Sequence, residues 1–193
     1  MLIGLAFLFC LLTVPLAGGR IGALGLVHVR ARWLLAAGLG LQVLIITIAP
    51  GGAHGVHAAI HLASYGLVVG FVAVNLPIPY LWLIALGGLL NLAAIAANDG
   101  VMPADPGALA AAGIATDPQA FSNSTAVTEP ALLLLGDILW VPASWPVSNV
   151  FSIGDVVIVV GAFLAVHTIA GSRLALRRFA APARPRSPRA GAR

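Results

Sequence analysis

Long apolar runs without charge recur along the chain, and their length sets the first expectation. A spanning helix needs about 20 mostly apolar residues at 1.5 Å each. Uncharged stretches approaching that length cover Leu2–Ala17, Trp33–Ala49, His57–Val74, Tyr80–Ala97 and Ile153–Ala170. These runs predict an all-α integral membrane bundle of about five transmembrane helices. A sixth run, Ala131–Val141, is too short to cross and contains Asp137. Pro130 ahead of it suits a helix start, so the run predicts about three turns of a short interfacial or re-entrant helix within a long outer loop.

Composition agrees with that pattern. Of 193 residues, 60% are hydrophobic and 8% charged, with a mean hydropathy of +1.03, which excludes an ordinary soluble domain. The single cysteine, Cys10, excludes a disulfide scaffold. The first run ends in Ala17, Gly18 and Gly19, but no basic segment precedes it and Arg20 follows, so it reads as a helix rather than a secretory signal. Phe9 before Cys10 argues against lipid attachment at that thiol.

Charge placement orients the bundle, because basic loops stay in the cytoplasm. Arg20, Arg30 and Arg32 lie between the first two runs, and Arg173, Arg177, Arg178, Arg184, Arg186, Arg189 and Arg193 follow the last. Asp99, Asp105, Asp117, Glu129, Asp137 and Asp155 all fall between the fourth run and the start of the fifth. Five crossings reconcile both clusters. The expectation is a multi-pass protein of the cell membrane, N-terminus outside and C-terminus cytoplasmic. Its transmembrane domain spans 1–172, with an outer loop over 98–152, and an arginine-rich tail follows over 173–193.

Pro182, Pro185 and Pro188 interrupt the tail, which is expected to be disordered. It reads either as a polybasic segment attracted to anionic lipid or, more simply, as an anchor that fixes topology. The pI near 10.6 comes from these membrane-flanking clusters, so no nucleic-acid role is implied.

The outer loop carries Pro103, Pro106, Pro118, Pro130, Pro142 and Pro146, a weak helical stretch over Gly107–Ile114, and a polar run, Phe121–Thr128, expected to be an exposed turn. Trp140 and Trp145 suit an aromatic belt, and the segment is expected to lie back over the bundle as a lid. Asp137 is either a charge facing water or the most informative acid in the chain. Asp155 has a simpler explanation, since Ser152-Ile153-Gly154-Asp155 has the form of a capping box.

His54, His57 and His61 share one helical face, a spacing that metal sites use. No carboxylate accompanies them in sequence, so the reading as interfacial histidines is preferred and no metal is assigned. His28 and His167 have no partners in sequence and also read as interfacial. Asn91 lies about 10 Å below Asn98 on nearly the same face of the fourth helix. An amide there normally bonds another helix or a ligand, and Gln42, Ser64 and Tyr65 are candidate partners.

The order His61, Ser64–Tyr65, Asn75, Asn91, Asn98, Gly100, Met102–Pro103, Gly136–Asp137 and Ser152-Ile153-Gly154-Asp155 resembles a family of bacterial polytopic membrane proteins classed only as a domain of unknown function. The resemblance runs from the first helix to the fifth and implies a multi-helix membrane protein with no assigned activity. A glycine often stands in that pattern where this chain has Asp99, which puts a tight glycine turn after Asn98 in question. His54 and His57 lie outside the pattern.

Walker loops, nucleophile elbows, kinase signatures and dinucleotide fingerprints are absent, which removes nucleotide-driven readings. The sequence specifies no cofactor. The expected site is a lidded, polar outer-leaflet pocket lined by His61, Asn91, Asn98 and Asp137. It would hold a lipid-like or small ligand, or a membrane partner, with the lipid bilayer and a second copy of the chain as further expected partners. The alternatives are a membrane-embedded enzyme acting on an envelope lipid or polymer, with Asp137 and His61 as acid and base, and a small transporter subunit.

Overall fold

The computed structural model describes residues 2–49, 53–115 and 124–176. Apolar helices coincide with the five long runs. They are α1 (Leu2–Leu16), α2 (Arg32–Val43, extended by a wider π turn over Leu44–Ile48), α3 (His54–Asn75), α4 (Leu81–Ala96) and α6 (Ile153–Ile169). Of these, α3 is long and apolar enough to cross a membrane, and the others are shorter apolar helices.

Contacts at the helix ends fix the directions. Gln42 and Gly38 of α2 meet Ser64 of α3, while Arg30 meets Asn75, so α2 and α3 are antiparallel. Gly87 and Asn91 of α4 lie against Gly154 and Ser152, and Ile84 lies against Gly161, so α4 and α6 are antiparallel too. Backbone bonds from Arg20 to Ala170 and from Arg173 to Ala17 join the C-terminal ends of α1 and α6, which therefore run parallel. The packing order is α2, α3, α4, α6, α1, and the α4–α6 seam is the most extensive. Arg20, Arg30, Arg32 and Arg173 gather at one end of the bundle. Asp99, Asp105, Glu129, Asp137 and Asp155 belong to the other.

The α4–α6 seam is close because Gly87 and Gly154 meet at its crossing. A methyl at Gly154 would strike the Asn91 amide and the Gly87 carbonyl, and one at Gly87 would strike the Gly154 carbonyl. Two backbones in contact gain dispersion that bulkier residues would prevent.

At the acidic end the chain between α4 and α6 folds into a cap. β1 (Met102–Pro103) pairs in parallel with β2 (Ser124–Thr125), and a parallel bridge joins Ala104 to Asp137. Then α5 (Pro106–Ala112) starts at Asp105, whose side chain accepts from Ala108 N at 2.8 Å, with Pro106 at the first helical position. A hairpin of β3 (Leu139–Val141) and β4 (Asn149–Phe151) leads directly into α6. Ala104, Ala108, Leu109, Ala112 and Val150 form the cap's own small core. Met102 seats it on Ala94 and Ile95 of α4.

Two expectations for this loop are corrected. Ala131–Val141 is not a three-turn helix: it forms a short 3-10 turn at Leu133–Leu135, the Asp137 bridge and β3. Glu129 and Leu132 adopt left-handed backbone (φ 52° and 53°), and Asp137 pairs its backbone with Pro103 and Asp105, so strand pairing within the cap prevails over local helix propensity. Ser124 and Thr125 are half-buried strand residues rather than an exposed turn, while Phe121–Asn123 lie outside the described residues. The weak helix expected at Gly107–Ile114 is present as α5. So is the tight turn after Asn98: Asp99 itself takes φ 52° and Gly100 takes φ 83°. Most of the arginine tail, 177–193, lies outside the described residues.

Candidate functional site

At the acidic end His61 and Asn98 join helices to the cap, Asp137 joins segments within the cap, and Asn91 joins α4 to α6. His61, on α3, is fully buried, and its Nδ1 lies 2.8 Å from the carbonyl of Gly100. A carbonyl only accepts, so Nδ1 carries the hydrogen in that bond. Gly100 is required there twice over: its φ is 83°, and an added methyl would meet Ala58 at 2.5 Å. Tyr65 packs edge-on against the imidazole, with ring centroids 5.5 Å apart. Below it, Ser64 Oγ donates to the His61 carbonyl at 2.6 Å and accepts from Gln42 Nε2 at 3.1 Å, which ties α2 into the same chain of bonds.

Asn98, just past the end of α4, bonds both backbone groups of one cap residue, Ala131. Its Nδ2 donates to Ala131 O at 2.8 Å and to Ala94 O at 2.7 Å, and its Oδ1 accepts from Ala131 N at 2.9 Å. These bonds account for the chain's departure from helix at Ala131.

Asn91 is bound to the capping box of α6. Ser152 Oγ donates to Asn91 Oδ1 at 2.8 Å, and Asn91 Nδ2 donates to Asp155 Oδ1 at 2.8 Å. The box itself is complete: Ser152 Oγ accepts from Asp155 N, and Asp155 Oδ2 accepts from Ser152 N, each at 3.0 Å. One amide therefore satisfies both side chains of a helix cap on the neighbouring helix.

Asp137 is 3% exposed. Its backbone accepts from Asp105 N and donates to Pro103 O, and its carboxylate accepts a short bond from Ser124 Oγ. Burial pushes its carboxyl up to about 6. The Ser124 bond opposes that shift and the nearby charge of Asp155 reinforces it.

Thus His61, Asn91, Asn98 and Asp137 all gather at the acidic end, each with a different partner: Gly100, the Ser152–Asp155 box, Ala131 and Ser124. His57 lies between two backbone carbonyls, Nε2 2.8 Å from Ala49 O and Nδ1 3.2 Å from Ala53 O, and as a neutral imidazole donates to one of them. Among the described residues no group of three His, Cys, Asp or Glu side chains is placed to hold a metal ion.

Two further junctions have no counterpart in the sequence reading. Asn75, at the end of α3, accepts from Arg30 N at 2.8 Å and donates to Arg30 O at 2.9 Å and Phe71 O at 2.8 Å. His167, expected to be interfacial and without partners, is fully buried between α6 and α1. Its Nδ1 lies 2.7 Å from Ser172 Oγ and its Nε2 3.1 Å from Thr13 Oγ1. Thr13 gives its one hydrogen to the Cys10 or Phe9 carbonyl, so Nε2–H donates to Thr13 and Nδ1 accepts from Ser172. A polar residue five positions after a helical histidine, Ser172 here, is the only local trace of that arrangement.

Comparison with known proteins supplies a family and no activity. A model for a family of unknown function, DUF5317, matches residues 26–167, and the chain belongs to that family. The match spans α2 to α6 and takes in all four candidate residues. No curated protein and no solved structure matches the chain.

Proposed function

We propose that this is a multi-pass membrane protein in which the five apolar helices cross the bilayer, with the acidic cap outside and the arginine end in the cytoplasm of a bacterial cell. The observation that carries the reading is an inverted distribution of polarity. Exposed positions on the helices include Leu8, Phe9, Leu12, Leu39, Ile48, Val69, Leu89 and Val160, whereas the buried set includes His61, Ser64, Asn75, Asn91, Ser152 and His167. A water-soluble bundle of this size does the opposite, and large exposed apolar surfaces require an apolar surrounding. All four tryptophans are exposed at helix or loop ends, Trp33 and Trp82 at the arginine end and Trp140 and Trp145 on the cap, where aromatic belts form.

Within that frame the protein is an accessory or binding component of the cell envelope. Its cap, fastened by His61, Asn98 and Asp137, offers Leu132, Leu134, Trp140 and Trp145 to a lipid-like ligand or a membrane partner. The enzyme reading draws on one observation, the raised carboxyl of Asp137. His61, which would be its base, is directed to Gly100, so Asp137 is better placed in the cap's fastening.

Topology is tested with Cys10→Ser as background and single cysteines at Ala115 or Leu176. A membrane-impermeant maleimide should label Ala115→Cys in intact cells and Leu176→Cys only after permeabilisation. The reverse pattern, or extraction of the chain by alkaline carbonate, would overturn the reading. Native mass spectrometry of gently purified protein then shows whether a lipid or partner stays bound to the wild type and leaves in variants of the cap's exposed tryptophans.

A further inference from the structure

We infer that the arginine end carries a binding site for the headgroup of an anionic phospholipid, built from the segment between α1 and α2. The inference rests on the membrane reading above. An open cavity of about 750 Å³ is lined there by Leu24, Val27, His28, Arg32 and Trp33, together with Gly25, Val29 and Ala31. Its chemistry has two halves. Arg32 and His28 supply a guanidinium and an imidazole, both suited to a phosphate diester. Leu24, Val27 and Trp33 supply an apolar wall, with Trp33 64% exposed at the start of α2, where an indole sits at headgroup level.

The cavity's wall is held in place. Asn75, 2% exposed, bonds both backbone groups of Arg30, so His28 and Arg32, two residues to either side, project from an anchored stretch rather than a free loop. Charge selects the occupant. Arg20, Arg30, Arg32 and Arg173 all stand at this end, and every acidic residue among the described ones belongs to the other. A zwitterionic headgroup would bring its cation into this field, whereas an anionic one brings none.

The test uses the full chain in detergent, titrated with phosphatidylglycerol or phosphatidylcholine of matched acyl chains and observed by native mass spectrometry. Wild type should retain phosphatidylglycerol preferentially, and Arg32→Gln should lower that preference about fivefold, the worth of one basic residue near a lipid surface. Arg32→Lys should restore part of it, and His28→Gln should weaken it less than Arg32→Gln. Arg173→Gln, at the same end but outside the cavity, should lower it clearly less than Arg32→Gln, because it contributes to the field and not to the site. An equal loss in Arg173→Gln would show diffuse charge rather than a site and overturn the inference. So would full competition by millimolar inorganic phosphate, which would mark a plain anion site. Alkaline carbonate extraction of the same wild-type protein separates the two levels: a chain that stays in the membrane but shows no lipid preference refutes the site alone, whereas a chain that is extracted refutes the membrane reading.

Discussion

The two ends of the bundle are closed by the same kind of residue used in different ways. At the arginine end, Asn75 holds the backbone of Arg30 ahead of α2, while His167 joins side chain to side chain, bonding Thr13 of α1 and Ser172 beyond α6, and holds two helices that already lie parallel. At the acidic end, His61 and Asn98 reach backbone of a separate segment, the Gly100 turn and the Ala131 peptide, while Asn91 holds the cap of α6. A side chain bonded to another side chain adds to packing that exists without it. A side chain bonded to the backbone of another segment fixes where that segment goes, and at the acidic end these bonds act beside the cap's own apolar core.

Breaking the α4–α6 seam should have the largest effect. Gly154→Ala forces a methyl into the Asn91 amide and the Gly87 carbonyl, and both are buried without slack. It is expected to cost about 3 kcal/mol or to prevent folding, read as thermal unfolding in detergent. Asp137 comes next, through its titration. Its carboxyl sits near 6, above the ordinary 3.8, so the folded chain holds the proton more tightly than the unfolded one. The stability this contributes is present in full below about pH 4 and is lost as pH rises through 6, a change of about 3 kcal/mol at most. Asp137→Asn should flatten that dependence between pH 4 and 8, and a wild-type stability that climbs with pH over the same range would contradict the assignment.

Asn98→Ala leaves the N–H and the carbonyl of Ala131 without this partner and should cost about 2 kcal/mol, confined to the cap. Thr13→Val at the other end removes one side-chain bond from His167 and should cost about 1 kcal/mol, without loosening the cap. If the two substitutions instead act alike, the contrast between the ends is false.

Much of this was legible in the sequence, and what was missed has a physical reason. The five apolar runs coincide with the five apolar helices α1, α2, α3, α4 and α6, since each run is longer than a strand and free of charge. The Ser152–Asp155 box was readable because its partners lie three residues apart. His61, Asn91, Asn98 and Asp137 stood out as polar residues near apolar stretches, and all four prove buried. Their partners were not readable, since Asn91 and Ser152 are 61 positions apart and nothing local links them. Ala131–Val141 misled for the same reason: Pro130 and the apolar pattern favour a helix, while Asn98 and Pro103, far back in the chain, impose a turn and a strand. Asp99 shows the converse, an aspartate adopting the left-handed turn that glycine makes more easily.

The central claim is that these buried polar residues fasten the cap. Hydrogen–deuterium exchange of the full chain, wild type against Asn98→Ala, tests it most directly. The account predicts slow exchange at Ala104, Asp105, Ala131 and Asp137 in the wild type, and fast exchange at those amides in the variant while α4 and α6 stay protected. Fast exchange of the same amides in the wild type, or an equal loss of protection along α4 and α6 in the variant, would contradict it.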